Sequence, residues 1–187
     1  IATLETAVTQ AAQVDRMIRD PKALAFVRNF TGQWLQARDV ESVPINARVV
    51  LGPNARPNRD GRVEFDGVFR RLMRSETEAY LEHVLREDRS LLELVDSDYA
   101  FLNARLAEHY GVPGVEGDEL RKVNLPPDSP RGGVITQGTV LAVTSNPTRT
   151  SPVKRGVFIL DNILGTPPPP APPDVPDLEE ARKEFKD

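Results

Sequence analysis

The chain of 187 residues contains no cysteine, which excludes disulfides, thiolate nucleophiles, cysteine-ligated metals and covalent haem attachment within these residues. Only two histidines are present, and they lack the spacing of a metal site or an axial haem site. No apolar run approaches the ~20 residues that cross a bilayer, so we expect no transmembrane segment. The net charge of −4 is spread over mixed signs and does not favour nucleic acid as a partner.

The remaining composition is that of one well-cored domain with appendages. Motifs for a phosphate loop, a nucleophile elbow, a metalloprotease helix or a dinucleotide fold are missing. The chain opens at Ile1 with neither an initiator methionine nor a signal-peptide pattern, and we expect it to be part of something longer.

Apolar periodicity predicts a mainly α fold, a helical domain of five or six helices with short β pieces and an extended proline-rich C-terminal tail. The predicted helices cover residues 2–18, 21–38, 65–87, 99–110, 134–144 and 151–165. A strand is predicted over 120–125, and the apolar run 49–51 inside the loop 42–64 suggests one edge strand.

The tail, residues 166–187, begins with a run in which seven of the ten residues 167–176 are proline. Such a run favours polyproline II at about 3.1 Å per residue, a stiff spacer about 30 Å long. Its PxxP spacings also match ligands of aromatic-lined peptide-binding domains, which is the alternative interpretation. The charged end of the tail is compatible with a short surface helix.

Glu76 falls on the apolar stripe of the 65–87 helix, where a carboxylate must be paired or protonated if it is buried. With His83, Asn103 and His109 it forms a set of candidate catalytic residues for an enzyme acting on carbohydrate. Structural roles are the simpler interpretation for both histidines, since His109 lies at a helix C-terminus, where the dipole favours an imidazolium.

A second candidate site binds an anion or a partner around the start of the last helix, through Arg149, Thr150, Ser151 and Arg155. The alternative is that the two arginines pair with the chain's own carboxylates, for example Glu76 or Asp161. Trp34, the only tryptophan, is interpreted as a core anchor. A glycan- or peptide-binding scaffold built on Trp34 or on the loop 42–64 is the other possibility.

Three stretches carry a family resemblance: FVRNFTGQWLQARDV (26–40), ETEAYLEHVLREDRSLLELVDSDYAFLNARLAEHYGVPGV (76–115) and SPRGGVITQGTVLAVTSNPTRTSPVKRGVFILDNILGTPPPPAPPDVP (129–176). They resemble two adjacent planctomycete and verrucomicrobial families of domains of unknown function that accompany c-type cytochrome modules. The resemblance implies a helical domain over 1–128 from the first family, a helical segment over 129–165 that packs on it and opens the second, and the linker and tail over 166–187.

The resemblance also implies a large exported protein, periplasmic or extracellular, with c-type haem in neighbouring domains and no cofactor or metal in this chain. The expected partners are the flanking haem domains, and in addition a protein redox partner or a polysaccharide. It carries over no catalytic residues. We therefore expect a non-catalytic positioning module that supports electron transfer linked to polysaccharide breakdown. A carbohydrate-active enzyme domain and a glycan- or peptide-binding scaffold remain the alternatives.

Overall fold

The computed structural model describes residues 2–51 and 66–169, and within them the fold is mainly α with one small antiparallel sheet. This confirms the predicted fold class. The helices are α1 Ala2–Arg19, α2 Ala23–Trp34, α3 Ala47–Leu51, α4 Gly67–Arg86, α5 Ala104–Tyr110, α6 Gly138–Val143 and α7 Pro152–Phe158. The strands are β1 Tyr99–Leu102 and β2 Arg121–Asn124, and short 3₁₀ turns cover Asp39–Glu41, Leu91–Leu94 and Val134–Thr136.

Helix α4 is the central element of the fold. It starts at Asp66, whose side chain accepts a hydrogen bond from the backbone N–H of Phe69 at 2.7 Å, a standard N-cap. Its apolar positions recur at three- and four-residue steps, so α2, α5, α6 and β1 all pack against it. The helix predicted over 65–87 is therefore present with nearly the predicted bounds.

The core consists of two apolar clusters that both include residues of α4 and share α6. The first cluster joins α2, α4, α6 and α7 through Val27, Leu35, Tyr80, Val140 and Phe158. The second joins α4 to the hairpin, α5 and α6 through Phe69, Met73, Leu102, Leu106 and Ala142. Because α4 and α6 contribute to both, the two clusters form one continuous body.

The predicted helix 99–110 is wrong over its first third, because residues 99–102 form β1. This strand pairs with β2 in the register Tyr99↔Asn124 to Leu102↔Arg121, so the predicted strand over 120–125 is confirmed. Asn103 then caps α5, its side chain accepting from the N–H of Leu106 at 3.0 Å. The aromatic residues of YAFL favour a strand, and the capping asparagine marks where the helix begins.

Three other predicted boundaries change. The predicted edge strand at 49–51 is wrong, because Asn46 accepts from the N–H of Val49 at 3.2 Å and starts α3. The helix predicted over 21–38 ends at Trp34, shortly before Gln36 adopts a φ of 53°. The helix predicted over 134–144 is split by Gln137, whose extended backbone separates the 3₁₀ turn from α6.

The helix predicted over 151–165 begins at its predicted start. Ser151 accepts from the N–H of Lys154 at 3.3 Å, Pro152 is the first helical residue, and α7 continues as a π-helical turn, Ile159–Ile163. Gly165 has a φ of 62°, which a residue with a side chain disfavours, and it ends the segment. Of the predicted proline spacer, residues 167–169 are exposed, and the rest of the tail lies outside the described residues.

Candidate functional site

The carboxyl group of Glu76 is buried in the middle of α4, with 1% of the residue exposed. Tyr110, at the end of α5, donates its hydroxyl to Glu76 Oε2 at 2.6 Å, and the same hydroxyl accepts from the N–H of Gly138 at 2.8 Å. Burial raises the pKa of Glu76 to about 8, although the bond from Tyr110 and the charge of Arg131 act in the opposite direction. The carboxyl is therefore mostly protonated at neutral pH.

Arg131 lies over the ring of Tyr110. Its guanidinium carbon lies 3.8 Å from the centroid of the Tyr110 ring, and Nη1 donates to the carbonyl of Thr136 at 2.9 Å. The following turn is close-packed, since a Cβ on Gly132 would lie 2.5 Å from the carbonyl oxygen of Ser97. We call Glu76, Tyr110, Arg131 and Gly138 the polar junction.

Two cavities adjoin the polar junction. The smaller, of about 10 Å³, is lined by Glu76, Tyr110, Arg131 and Gln137, among others. Both amide atoms of the buried Gln137 side chain lack a hydrogen-bond partner among the described residues. A cavity of this size is at the lower limit for one water molecule, which would satisfy the amide.

The larger cavity is a surface cleft of about 150 Å³. Its polar rim includes His109, Tyr110, Arg131, Arg149 and Thr150, together with Ser145 and Asn146. Its walls are apolar, from Ile45, Val50, Met73, Leu141 and Ala142. Arg131 and Arg149 contribute positive charge to the cleft, and none of the described residues that line it is acidic.

The structure brings some of the predicted site residues to this cleft. His109, Arg149 and Thr150 line it, and Glu76 is linked to it through Tyr110. Ser151 and Arg155 do not line it. Ser151 caps α7, and Arg155 Nε donates to the hydroxyl of Thr144 at 3.3 Å.

His109 is one of the residues that line the cleft. Its ring meets the edge of Phe69 at a centroid distance of 4.8 Å and neighbours the ring of Tyr110. Burial lowers the pKa of His109, and the charge of Arg131 lowers it further. The neutral imidazole is therefore the favoured form here, contrary to the imidazolium that a helix C-terminus alone would favour.

His83 and Asn103 have other surroundings. His83 Nε2 lies 3.0 Å from Lys122 Nζ, and the ring packs against Tyr99 and Phe101. Its pKa is lowered, first by burial and then by Lys122. Asn103 donates its amide to the carbonyl of Asp118 at 3.1 Å, in addition to capping α5. The catalytic role suggested for these two residues with Glu76 and His109 stays a prediction.

Trp34 and Asn162 form a reciprocal pair at the chain's exit. The indole N–H donates to the carbonyl of Asn162 at 2.6 Å, and the Asn162 amide donates to the carbonyl of Trp34 at 2.5 Å. Trp34 is partly buried against the first core cluster, in agreement with its predicted anchoring role. We call this pair the exit clamp.

Sequence reasoning did not single out the roles of Asn162, Gln137 and Arg131. Asn162 carries a recognisable signal, since it is an amide within the apolar stretch FILDNIL of the last helix. The pairing of Arg131 with Tyr110 has no comparable signal, because it depends on how two distant segments meet.

The described residues contain no group of three or more histidine, cysteine, aspartate or glutamate side chains that could hold a metal ion. Among the helices in 2–51 and 66–169, none combines the length and the apolar character that a bilayer crossing requires.

Comparison with known proteins identifies two adjacent families. Residues 2–112, more than half of the chain, match the family PSD4, described as a protein of unknown function (DUF1592). Residues 131–186 match the family PSCyt3, described as a protein of unknown function (DUF1588). No curated protein and no solved structure matches the chain.

Proposed function

We propose that this chain, which belongs to the PSD4 family, is a non-catalytic module that positions its neighbours. The chain continues into a PSCyt3 match, and both families are planctomycete-type, cytochrome-associated domains of unknown function. The neighbours are haem domains of one c-type cytochrome-containing polypeptide. The chain itself does not fit covalent haem, because it has no cysteine to form a thioether. The haem therefore belongs to the flanking domains.

The shared core supports this proposal. Val134, Val140 and Phe158 lie in the PSCyt3 match, and they pack with Val27 and Tyr80 of the PSD4 match in the first cluster. We propose that the segment 129–165 is a helical extension packed on the domain 1–128. A domain attached after residue 165 would then be anchored to the whole folded core and not to one helix.

The exit clamp is the observation that carries the proposal. It joins Asn162, three residues before Gly165, to Trp34 at the end of α2, which lies 128 residues earlier in the chain. The backbone N–H of Thr166 also donates to the carbonyl of Leu160 at 2.8 Å. The polypeptide therefore leaves the body from a fixed point, and polar contacts hold it until the proline run begins.

The proline run follows this fixed exit. With seven prolines among residues 167–176, it is predicted to be a semi-rigid spacer about 30 Å long. A fixed exit followed by such a spacer would set both the direction and the distance of the next domain. A flexible linker would set neither.

The finer parts of the proposal come from the family resemblance. They are a periplasmic or extracellular location, support of electron transfer, and a link to polysaccharide breakdown. The partners are the flanking haem domains, with a redox protein or a polysaccharide as the external partner.

The test uses the longer natural polypeptide matured with the haem-attachment machinery. We expect c-type haem absorbance in that polypeptide and none in the 187-residue chain produced alone. The Asn162→Ala variant of the longer polypeptide should keep its haem, while small-angle scattering should show a wider range of interdomain distances. A matured polypeptide without haem, or unchanged scattering in the variant, would contradict the proposal.

A further inference from the structure

We propose that the cleft bordered by His109, Arg131, Arg149 and Thr150 binds a carboxylate group carried on a short aliphatic stem. The inference depends on the composition of this cleft. It does not depend on the exit clamp or on the proposed positioning role.

The charge of the cleft selects an anion. Arg131 and Arg149 both line it, no acidic residue does, and neither arginine forms an ion pair within the described ranges. Glu76 is joined to the cleft through the Tyr110 hydroxyl, and its neutral form does not compensate the charge of Arg131. An arginine held over the face of an aromatic ring is suited to bind a carboxylate with little loss of side-chain freedom.

The position of Arg131 is fixed before any ligand arrives. Its guanidinium stacks on Tyr110 and is bonded to Thr136, and Tyr110 is in turn held by Glu76 and Gly138. Arg131 therefore requires little reorganisation on binding, which favours affinity.

The size and the walls of the cleft select a carboxylate on a short stem. A volume of about 150 Å³ is below the ~300 Å³ at which pockets for drug-sized ligands begin. The walls from Ile45, Val50, Met73 and Leu141 suit methylene groups. A carboxylate can turn its two oxygens to the arginines while its stem contacts these walls, whereas phosphate and sulfate have no apolar part to place there.

A carboxylate of this kind has two sources, a free short-chain acid or an acidic side chain of a neighbouring domain. The recognising chemistry is the same for both. The experiment therefore uses butyrate as the free acid and N-acetyl-glutamate amide as the side-chain mimic.

The two histidines provide the readout. His109 lies at the cleft, and His83 lies against Tyr99 and Lys122, so NMR of the two imidazole rings gives a reporter and an internal control in one sample. Saturating butyrate should shift the His109 resonances and raise the pKa of His109, since a bound anion favours the imidazolium. The resonances of His83 should not move.

The matched variants are Arg149→Gln, which removes one cation of the cleft, and Lys154→Gln, which removes an exposed cation outside it. We expect Arg149→Gln to weaken butyrate binding by at least about fivefold. Lys154→Gln should leave the affinity unchanged. Butylamine, a cation of similar shape, should not bind.

The outcomes divide clearly. Saturable binding of either carboxylate, weakened in Arg149→Gln, supports the inference. Tighter binding of butyrate indicates a free acid as the ligand, and tighter binding of N-acetyl-glutamate amide indicates an acidic side chain. The inference is overturned if neither carboxylate saturates below about 100 mM, if phosphate binds as tightly as butyrate, or if Arg149→Gln binds like the original chain.

Discussion

The polar junction and the exit clamp both join the PSD4 part of the chain to the PSCyt3 part, but in opposite environments. In the polar junction Tyr110 bridges the buried Glu76 and the N–H of Gly138. In the exit clamp Trp34 and Asn162 exchange two hydrogen bonds while both remain partly exposed. Buried polar groups that lose a partner are costly, whereas partly exposed ones are rescued by water. The junction should therefore determine stability, and the clamp should determine the direction of the exit.

The largest expected effect is the pH dependence contributed by Glu76. Its pKa is raised in the folded chain from 4.5 to about 8, so the folded state holds one more proton than the unfolded state between these values. The contribution of Glu76 to the free energy of unfolding is fully present below pH 4.5 and is lost as the pH rises through about 8. The loss is at most about 5 kcal/mol, since each pKa unit corresponds to about 1.36 kcal/mol.

Glu76→Gln isolates this contribution because the amide cannot ionise. Urea unfolding at several pH values should show that the original chain loses stability relative to Glu76→Gln as the pH increases across this window. Parallel pH profiles of the two proteins would show that Glu76 ionises normally, contrary to the account.

Tyr110→Phe is expected to give the next largest effect. Loss of the hydroxyl leaves the Glu76 carboxyl and the N–H of Gly138 without their partner in a buried place. The free energy of unfolding should fall by about 2–4 kcal/mol. The matched control is Tyr99→Phe. Tyr99 is also buried, but the Glu93 carboxylate that loses this bond is partly exposed and keeps Arg89 as a partner, so the loss should be smaller. Equal losses in the two variants would remove the distinction between bonds to fully buried groups and bonds to groups that keep other partners.

Asn162→Ala should have a smaller effect on stability, about 1 kcal/mol, because water replaces the lost bond to the Trp34 carbonyl. Asp161→Ala, at the neighbouring exposed position, should have almost none. Thermal unfolding of the two variants checks this order. A loss in Asn162→Ala as large as that in Tyr110→Phe would mean that the clamp is a main support of the fold.

Arg149→Gln should change stability least, within about 0.5 kcal/mol, because this exposed arginine forms no ion pair within 2–51 and 66–169. Its effect should appear only in carboxylate binding. Urea unfolding and the NMR titration, made on the same preparation, separate the two quantities. A loss of stability above about 1 kcal/mol would place Arg149 in the fold itself.

Local signals in the sequence were enough to predict the helices with clear caps. Ser151 and Pro152 at the start of α7, and Gly111 and Gly165 as helix ends, act through neighbouring backbone groups, so short-range reasoning finds them. The strand 99–102 was missed because its partner lies about twenty residues later, and the pairing depends on the hairpin.

The site was predictable only in part, for a related reason. The buried position of Glu76 follows from its place on the apolar stripe of α4, and a paired or protonated carboxyl was the expected consequence. Its partners could not be inferred, because Tyr110 and Gly138 reach it through packing of α5 and α6 on α4. Arg149 was expected beside Arg155, but it lies with Arg131 because residues 146–150 turn back before α7.

The central claim, that the clamp fixes the direction of the outgoing chain, is tested most directly by a distance between two spin labels. Because the chain has no cysteine, Asp128→Cys and Ala171→Cys label one position on the body and one in the proline run. Pulsed electron resonance should give a narrow distance distribution in the otherwise unchanged chain, and a clearly broader one with Asn162→Ala or Trp34→Phe. A distribution that is broad from the start, or one that neither clamp variant widens, would contradict the claim.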